Sequence, residues 1–283
     1  VLLHNGLDAL QNLAHSLQFN IRNGAQGFTR RFMNHYLMAD GSRFTEKQGY
    51  ETMFYTEETE GRDPRMVQTV LCPGYVAKGE SSATPNDMTA MTGYEPIKFV
   101  STAAHSGASK GTSDWALFRT AEVYLNYAEA KAEIGTLTQN DIDLTIKKLR
   151  DRVGMPNLDM DDANANPDPY LSSAETGYPN VSGANKGVIL EIRRERSIEL
   201  LQEGHRYYDI IRWKEGKTFT QPLRGIYIPE GTKEYDLDGD GTPDIYLKSK
   251  GETPSTKAPL VMEIDQDIYL SEGSYGYIAP HKN

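Results

Sequence analysis

The stretch EIRRERSIELLQEGHRYYDIIRW, residues Glu191 to Trp213, sets five arginines among isoleucines and leucines on what reads as one helix and the start of another. Turning each residue by about 100° on a helical wheel gathers Glu191, Glu195, Gln202 and Glu199 on one side, which is expected to face water. The opposite arc holds Ile189, Leu190, Leu200 and Leu201. Arg193 falls inside that apolar arc, with Arg194 and Arg196 at its margins. These arginines are therefore aimed at the core or its rim. A guanidinium cannot shed its charge, so burying one demands carboxylates or backbone carbonyls to occupy its donors. Glu122, Glu129 and Asp209, on neighbouring helices, are the candidate partners. A structural ion-pair network that fixes helix docking is the preferred reading, over an arginine clamp for an anionic substrate.

The strongest helical periodicity runs through residues 113 to 217. Phe118, Ala121, Leu125, Ala128 and Ala132 recur at three and four residues, and small side chains at that spacing allow close helix approach before Gly135 ends the run. Thr138 then offers an N-cap with Asp141 three residues on. Ile142, Ile146, Leu149 and Val153 make the next buried stripe, which Gly154 and Pro156 stop. Residues 115 to 154 are expected to form one antiparallel helical hairpin, and the arginine-rich stretch a second. Residues 1 to 112 are turn-rich, with GRDPRM, CPGY and SSATPND between short apolar groups, and read as loops on that scaffold. Residues 218 to 283 read as further loops around an Asp-rich turn. The fold class expected is mainly α: helical hairpins with extensive irregular loops and a few short strands.

A chain of 283 residues can bury a sizeable core in one large or two ordinary domains. Its net charge of −10 and the lack of any basic stripe argue against nucleic acid as a partner. No apolar run approaches the roughly 20 residues of a spanning helix. Val1 begins in mid-pattern without the regions of a signal peptide, so it is expected not to be the first residue of the precursor. The single cysteine, Cys72, excludes an internal disulfide framework. The six histidines have no metal-ligand spacing, and no G-x-S-x-G, Walker or dinucleotide fingerprint occurs. No cofactor is expected to be required.

One motif carries its own chemistry. DLDGDGTPD places Asp236, Asp238 and Asp240 at positions 1, 3 and 5 of a calcium-type loop, with Gly241 at 6, the Thr242 carbonyl at 7 and Asp244 at 9. Leu247 stands where an EF-hand has its bidentate glutamate. A weak structural calcium site that staples a surface loop is expected, rather than a merely solvated turn.

The run Arg193, Glu195, Arg196, Glu199, Leu200, Glu203, Gly204, Arg206, Asp209, Arg212 and Trp213 resembles the signature of the SusD/RagB family, surface glycan-binding lipoproteins of Bacteroidetes. LFRTAEVYLNYAEAKAE, IKKLRDRVGMPNL, YLMADGSRF with GRDPRM, and the closing YIAPHK are similar to segments that follow one another in that family's C-terminal half. The resemblance implies tetratricopeptide-like hairpins and no enzymatic activity. It further implies capture of oligosaccharide at the outer-membrane surface and delivery to a SusC-like TonB-dependent transporter. Membrane attachment would come only through a lipid anchor in an N-terminal half that this sequence lacks. An exposed apolar patch would then need cover, and Leu2 to Phe19 is the segment expected to pack back, burying Leu10, Leu13 and Leu17.

A sugar site needs flat aromatic faces and polar groups for hydroxyls. Tyr50, Phe54 and Tyr55, in the polar tract QGYETMFYTEETEG, and Tyr75, after CPG, are the loop aromatics expected to contact glycan. Tyr124, Tyr127, Tyr207, Tyr208 and Trp213 read as helix-packing residues, and Trp115 as a core anchor opening a helix. A peptide-binding helical-repeat adaptor is the alternative function, and a glycoside hydrolase is less favoured.

Overall fold

The computed structural model describes residues 3–5, 14–113 and 115–280. In the turn-rich first section, helices α1 (Leu17–Asn23), α2 (Arg30–Met33), α3 (Tyr55–Glu58) and α4 (Met66–Thr69) interrupt irregular chain. Strand β1 (Leu3–Asn5) pairs antiparallel with β2 (Trp115–Phe118), so backbone near the start of the chain returns to the entrance of the helical scaffold. Leu10 and Leu13 lie outside the described residues, and Leu17 is half-buried at the start of α1.

Helix α5 (Thr120–Glu133) buries Ala121, Leu125, Ala128 and Ala132 on the face that the periodicity marked. Phe118 does not belong to it. That residue ends β2 and is 57% exposed, and the Trp115 side chain lies outside the described residues. Gly135 takes a φ of 75°, which glycine alone adopts at little cost, and turns the chain out of α5. The Thr138 hydroxyl accepts from the Asp141 N–H while the Asp141 carboxylate accepts from the Thr138 N–H, closing the predicted capping box. The return arm is two helices, α6 (Gln139–Leu144) and α7 (Ile146–Asp151). Thr145 between them leaves helical dihedrals and donates its hydroxyl to the Asp141 carbonyl, a local bond that competes with continued helix. Short helices α8 (Met160–Ala165) and α9 (Pro169–Ser172) lead to α10 (Lys186–Glu199) and α11 (Arg206–Arg212).

Helix α10 packs against α5, α7 and α8. At Gly187 an added Cβ would lie 1.7 Å from the Ala163 carbonyl oxygen, so only glycine permits the approach to α8. Every residue from Gly187 to Glu199 is buried. This overturns the expectation that Glu191, Glu195 and Glu199 face water: a wheel assumes one solvent side, and here the first section closes over it. The carboxylates are instead the partners the arginines need. Arg194 pairs with Asp168 and with Glu191 at 3.0 Å, Arg196 with Asp209 at 2.7 Å, and Arg150 with Glu195 at 2.9 Å. Arg65 reaches across from the first section to Asp63 at 2.7 Å, Glu199 at 3.3 Å and Glu195.

Arg193 is buried, as its place on the wheel predicts. Its partners are Glu215 at 3.3 Å and Glu133 at 3.6 Å, with the Trp213 ring centroid 4.5 Å away. Of the expected partners, Asp209 holds Arg196 and Glu129 accepts from Arg212 and the Trp213 indole, while Glu122 lies 3.8 Å from His205. Tyr207 and Tyr208, read as packing residues, are instead exposed on α11, and Tyr207 contacts the rings of Tyr208 and Phe219.

The C-terminal section, read as loops, carries six short strands among the described residues. Strands β3 (Tyr227–Ile228), β7 (Tyr269–Leu270) and β8 (Gly276–Ala279) make an antiparallel sheet in the order β3-β8-β7. In the second sheet, β4 (Glu234–Tyr235) pairs antiparallel with β5 (Ile245–Lys248), which pairs parallel with β6 (Leu260–Glu263). One apolar core joins Tyr36, Tyr55 and Tyr94 of the first section to Ile226, Ile245 and Ile278 of the last. A second gathers Ala128, Ile142, Leu171, Leu190 and Trp213 within the helical scaffold. The chain is mainly α.

Two outcomes test the buried network. Arg194→Met would leave Asp168 and Glu191 as unmatched buried charges, with an expected loss of about 3–5 kcal/mol in urea unfolding; a loss below about 1 kcal/mol would contradict the pairing. Burial alone would raise the Glu195 carboxyl, but Arg65 and Arg150 outweigh it and hold it at about 2, against an ordinary 4.5. A carboxylate held below its unfolded value contributes stability that is present above that value and lost as pH falls through the folded one. That contribution is roughly 3 kcal/mol at neutral pH. Unfolding at stepped pH is expected to show its loss between pH 4.5 and 2, with a shallower slope in Glu195→Gln.

Candidate functional site

Four separated segments meet at a cleft of about 130 Å³: α2, the turn at Tyr50, the end of α9, and the approach to and body of the β3–β8 sheet. Arg30, Arg31 and Asn34 line it together with Tyr50, Tyr170 and Tyr277. The Tyr50 ring stands edge-on to Phe44 at 5.9 Å and to Tyr170 at 6.5 Å, which fixes its orientation. Arg30 holds this arrangement together. It pairs with Glu58 at 2.9 Å and donates to the Tyr50 carbonyl at 2.8 Å and the Met53 carbonyl at 3.2 Å. Tyr277 donates its hydroxyl to the Glu51 carbonyl at 2.8 Å, and the Arg30 and Arg224 guanidiniums lie 5.4 and 4.9 Å from its ring centroid. Burial and the neighbouring Glu51 push the Tyr50 phenol up to about 12, so it stays a neutral donor at physiological pH. Flat rings beside guanidinium and amide groups can take a ligand with one apolar face and a hydroxylated edge.

A larger cleft, of about 460 Å³, lies beside the C-terminal end of α10, but its polar groups are occupied by one another. Arg119 and Arg152 both bind Glu199 at 2.8 Å, Arg119 and Lys98 both bind Glu203 at 2.6 Å, and Lys98 caps the Leu201 carbonyl at 2.7 Å. It is the outer margin of the buried ion-pair network. The smaller cleft is the better candidate because it combines aromatic faces with polar groups that lack partners.

Among the four aromatics nominated from sequence, Tyr50 alone lines this cleft. Phe54 lines a different depression, where it tilts against Tyr235 at 5.7 Å. Tyr55 is fully enclosed and donates its hydroxyl to the Leu71 carbonyl, so it offers no face to a ligand. A polar tract hid the fact that α3 turns one of its residues into the core. Tyr75 is half-buried in its own turn, near Arg22 and Glu95. Arg30, Arg31, Asn34, Tyr170 and Tyr277 were not anticipated. Only Tyr277 carried a signal, through the YIAPHK segment; the others come together from distant parts of the chain by packing alone.

In the Asp-rich loop, Asp236, Asp238 and Asp244 bring carboxylate oxygens within 4.8 Å of one another. Asp240 and Thr242 do not join them through their side chains: the Asp240 carboxylate accepts from the Thr242 N–H at 2.7 Å and hydroxyl at 2.6 Å. Backbone N–H groups feed the cluster, from Leu237 and Asp238 to Asp244 and from Gly239 and Gly241 to Asp236. Burial raises the carboxyls of Asp238 and Asp244, and their acidic neighbours add to the effect.

The sequence model of the SusD family matches residues 16–266. The chain belongs to the SusD family. Two solved Bacteroides fragilis structures share its fold. A SusD-like carbohydrate binding protein aligns with a TM-score of 0.58 at 21% identity, over 82% of this chain and 45% of its own. A SusD-like protein aligns with a TM-score of 0.52 at 23% identity, over 80% and 45%. This SusD-family chain thus spans less than half the length of those relatives. No curated protein matches it. The family match takes in the Asp-rich loop and every cleft residue named above except Tyr277. In this SusD-family chain, millimolar calcium is expected to raise the melting temperature and EGTA to lower it, with Asp238→Ala removing the difference. Identical melting curves in both would assign the loop to its own backbone hydrogen bonds.

Proposed function

We propose that this protein is a non-catalytic glycan-binding protein and that the cleft beside Tyr50 takes a sugar ring. The observation that carries the reading is the convergence of Tyr50, Tyr170 and Tyr277 with Arg31 and Asn34 on one cleft of a SusD-family chain. A structural relative described as carbohydrate binding supports it. In this reading the bound glycan passes to a SusC-like TonB-dependent transporter at the outer-membrane surface, where a lipid anchor on a longer precursor would hold the protein. Among the described residues no helix is long and apolar enough to cross a membrane.

Binding without hydrolysis is favoured by the state of the carboxylates in the cleft. Glu51 and Glu175 are both exposed. A glycosidic general acid needs an environment that keeps it protonated near neutral pH, usually through burial. The adaptor alternative would place its ligand contacts along the inner faces of the helices, whereas most of the cleft is built by loops and strand ends.

A glycan array followed by calorimetry on the best ligand tests the proposal. Tyr50→Ala is expected to weaken binding about tenfold, equivalent to about 1.4 kcal/mol, with the fold retained. New reducing ends on incubation would instead mark a hydrolase. Unchanged affinity in Tyr50→Ala would remove the cleft from consideration.

A further inference from the structure

We infer that the Tyr50 cleft selects an acidic sugar, a hexuronate whose carboxylate meets Arg31; this rests on the glycan-binding reading and names its ligand class. The buried arginines of the α10 network each face a carboxylate. Arg31 does not. Among the described residues it makes no ion pair, and its one hydrogen bond runs to the Thr218 carbonyl at 3.1 Å. It is nonetheless half-buried in the cleft wall. Burial, with Arg206 nearby, pushes its pKa down despite the neighbouring phenols. A carboxylate would present two oxygens to the remaining donors of that planar fork.

Two further groups point the same way. Arg224 lines the cleft, lies over the Tyr277 ring, and likewise makes no ion pair among the described residues. Asn34 is only 5% exposed; its Nδ2 donates to the Tyr170 hydroxyl at 3.1 Å, while its Oδ1 is buried without a hydrogen-bond partner. An orphaned acceptor of this kind is costly in the free protein, and a turn of the buried amide would bring it to a donor such as a sugar hydroxyl. Arg30 adds no free charge, because Glu58 neutralises it. Opposing the assignment are Glu51 and Glu175, but both are exposed and hydrated, and Glu51 accepts from the Tyr50 hydroxyl. Water screens them more effectively than it screens a half-buried guanidinium. In a chain of net charge −10, a cleft whose two guanidiniums without an ion pair, Arg31 and Arg224, match its two exposed carboxylates is a local departure from overall composition.

The experiment compares an oligogalacturonide with its carboxyl-reduced, neutral counterpart, by calorimetry on the whole chain at pH 7. The uronate is expected to bind at least tenfold tighter. Arg31→Gln should bring its affinity down to that of the neutral compound, and Arg31→Lys should restore part of the difference. Melting curves and circular dichroism establish that both variants fold, and the wild-type comparison stands without either. Equal wild-type affinities, lost together in Tyr50→Ala, would overturn the acidic assignment and leave the glycan reading intact. A preference that survives Arg31→Gln would also overturn it. Failure of these and all arrayed glycans to bind would overturn both.

Discussion

The buried exchange of charge along α10 is the constraint from which the rest of the architecture follows. A guanidinium in a low-dielectric interior is tolerable only with its donors occupied, and it remains charged at any relevant pH. Each arginine on or against this helix therefore dictates where another part of the chain must lie. Asp168 has to come in beside Arg194, Asp209 beside Arg196, and Glu215 beside Arg193. Glu195 is gripped from two sides, by Arg150 of the return arm and Arg65 of the first section. Apolar contacts alone would allow neighbouring helices to slide; a forked donor matched to a carboxylate admits little sliding. Such pairs contribute modestly to net stability and strongly to uniqueness of docking, since a mispaired alternative strands a charge.

The same device orders chain that has little regular structure of its own. Arg62 is buried without an ion pair among the described residues, and its guanidinium is met by the Met33 and Tyr36 carbonyls at 2.8 Å while lying 3.6 Å from the Phe44 ring. Burial lowers it to about 10, with Glu58 among the groups that oppose the shift. Arg30 performs a parallel role for the Tyr50 turn. Loop carbonyls that would otherwise need water are satisfied by an immobile donor, which is how a section rich in turn residues can enclose a core.

This explains which parts of the molecule were legible in the sequence. Local rules held where the partner lay within a few residues: the Thr138–Asp141 box and the turn at Gly135 are both present. The burial of Arg193 was legible because a wheel reports which residues share an arc with leucines. The same wheel misplaced Glu191, Glu195 and Glu199, because a helix surrounded on all sides has no polar face, and its acids are buried by virtue of arginines as far away in sequence as Arg65. The calcium-type spacing put five residues in register, yet three converge through their carboxylates, since Asp240 closes a turn of its own. In the cleft, a rule that favours loop aromatics found Tyr50 and could not separate it from Tyr55, which lies five residues on and points into the core. Tyr170 and Tyr277 reach the site only through tertiary packing.

The cleft inherits its rigidity from that network. The Tyr50 ring is held edge-on between Phe44 and Tyr170, its carbonyl is tied to Arg30, and Tyr277 is tied to the Glu51 carbonyl. Three of its walls thus share one arginine or the turn that this arginine holds. Ligand capture by such a surface requires little ordering of side chains, so more of the contact energy appears as affinity. Arg31 differs from its neighbour in this setting: Arg30 is paired with Glu58 and tied to two backbone carbonyls, whereas Arg31 lines the cleft with the Thr218 carbonyl as its one hydrogen-bond acceptor among the described residues. Where the α10 network sets a carboxylate against each of its arginines, this cleft leaves Arg31 with a single backbone acceptor beside aromatic rings and an unpartnered amide oxygen.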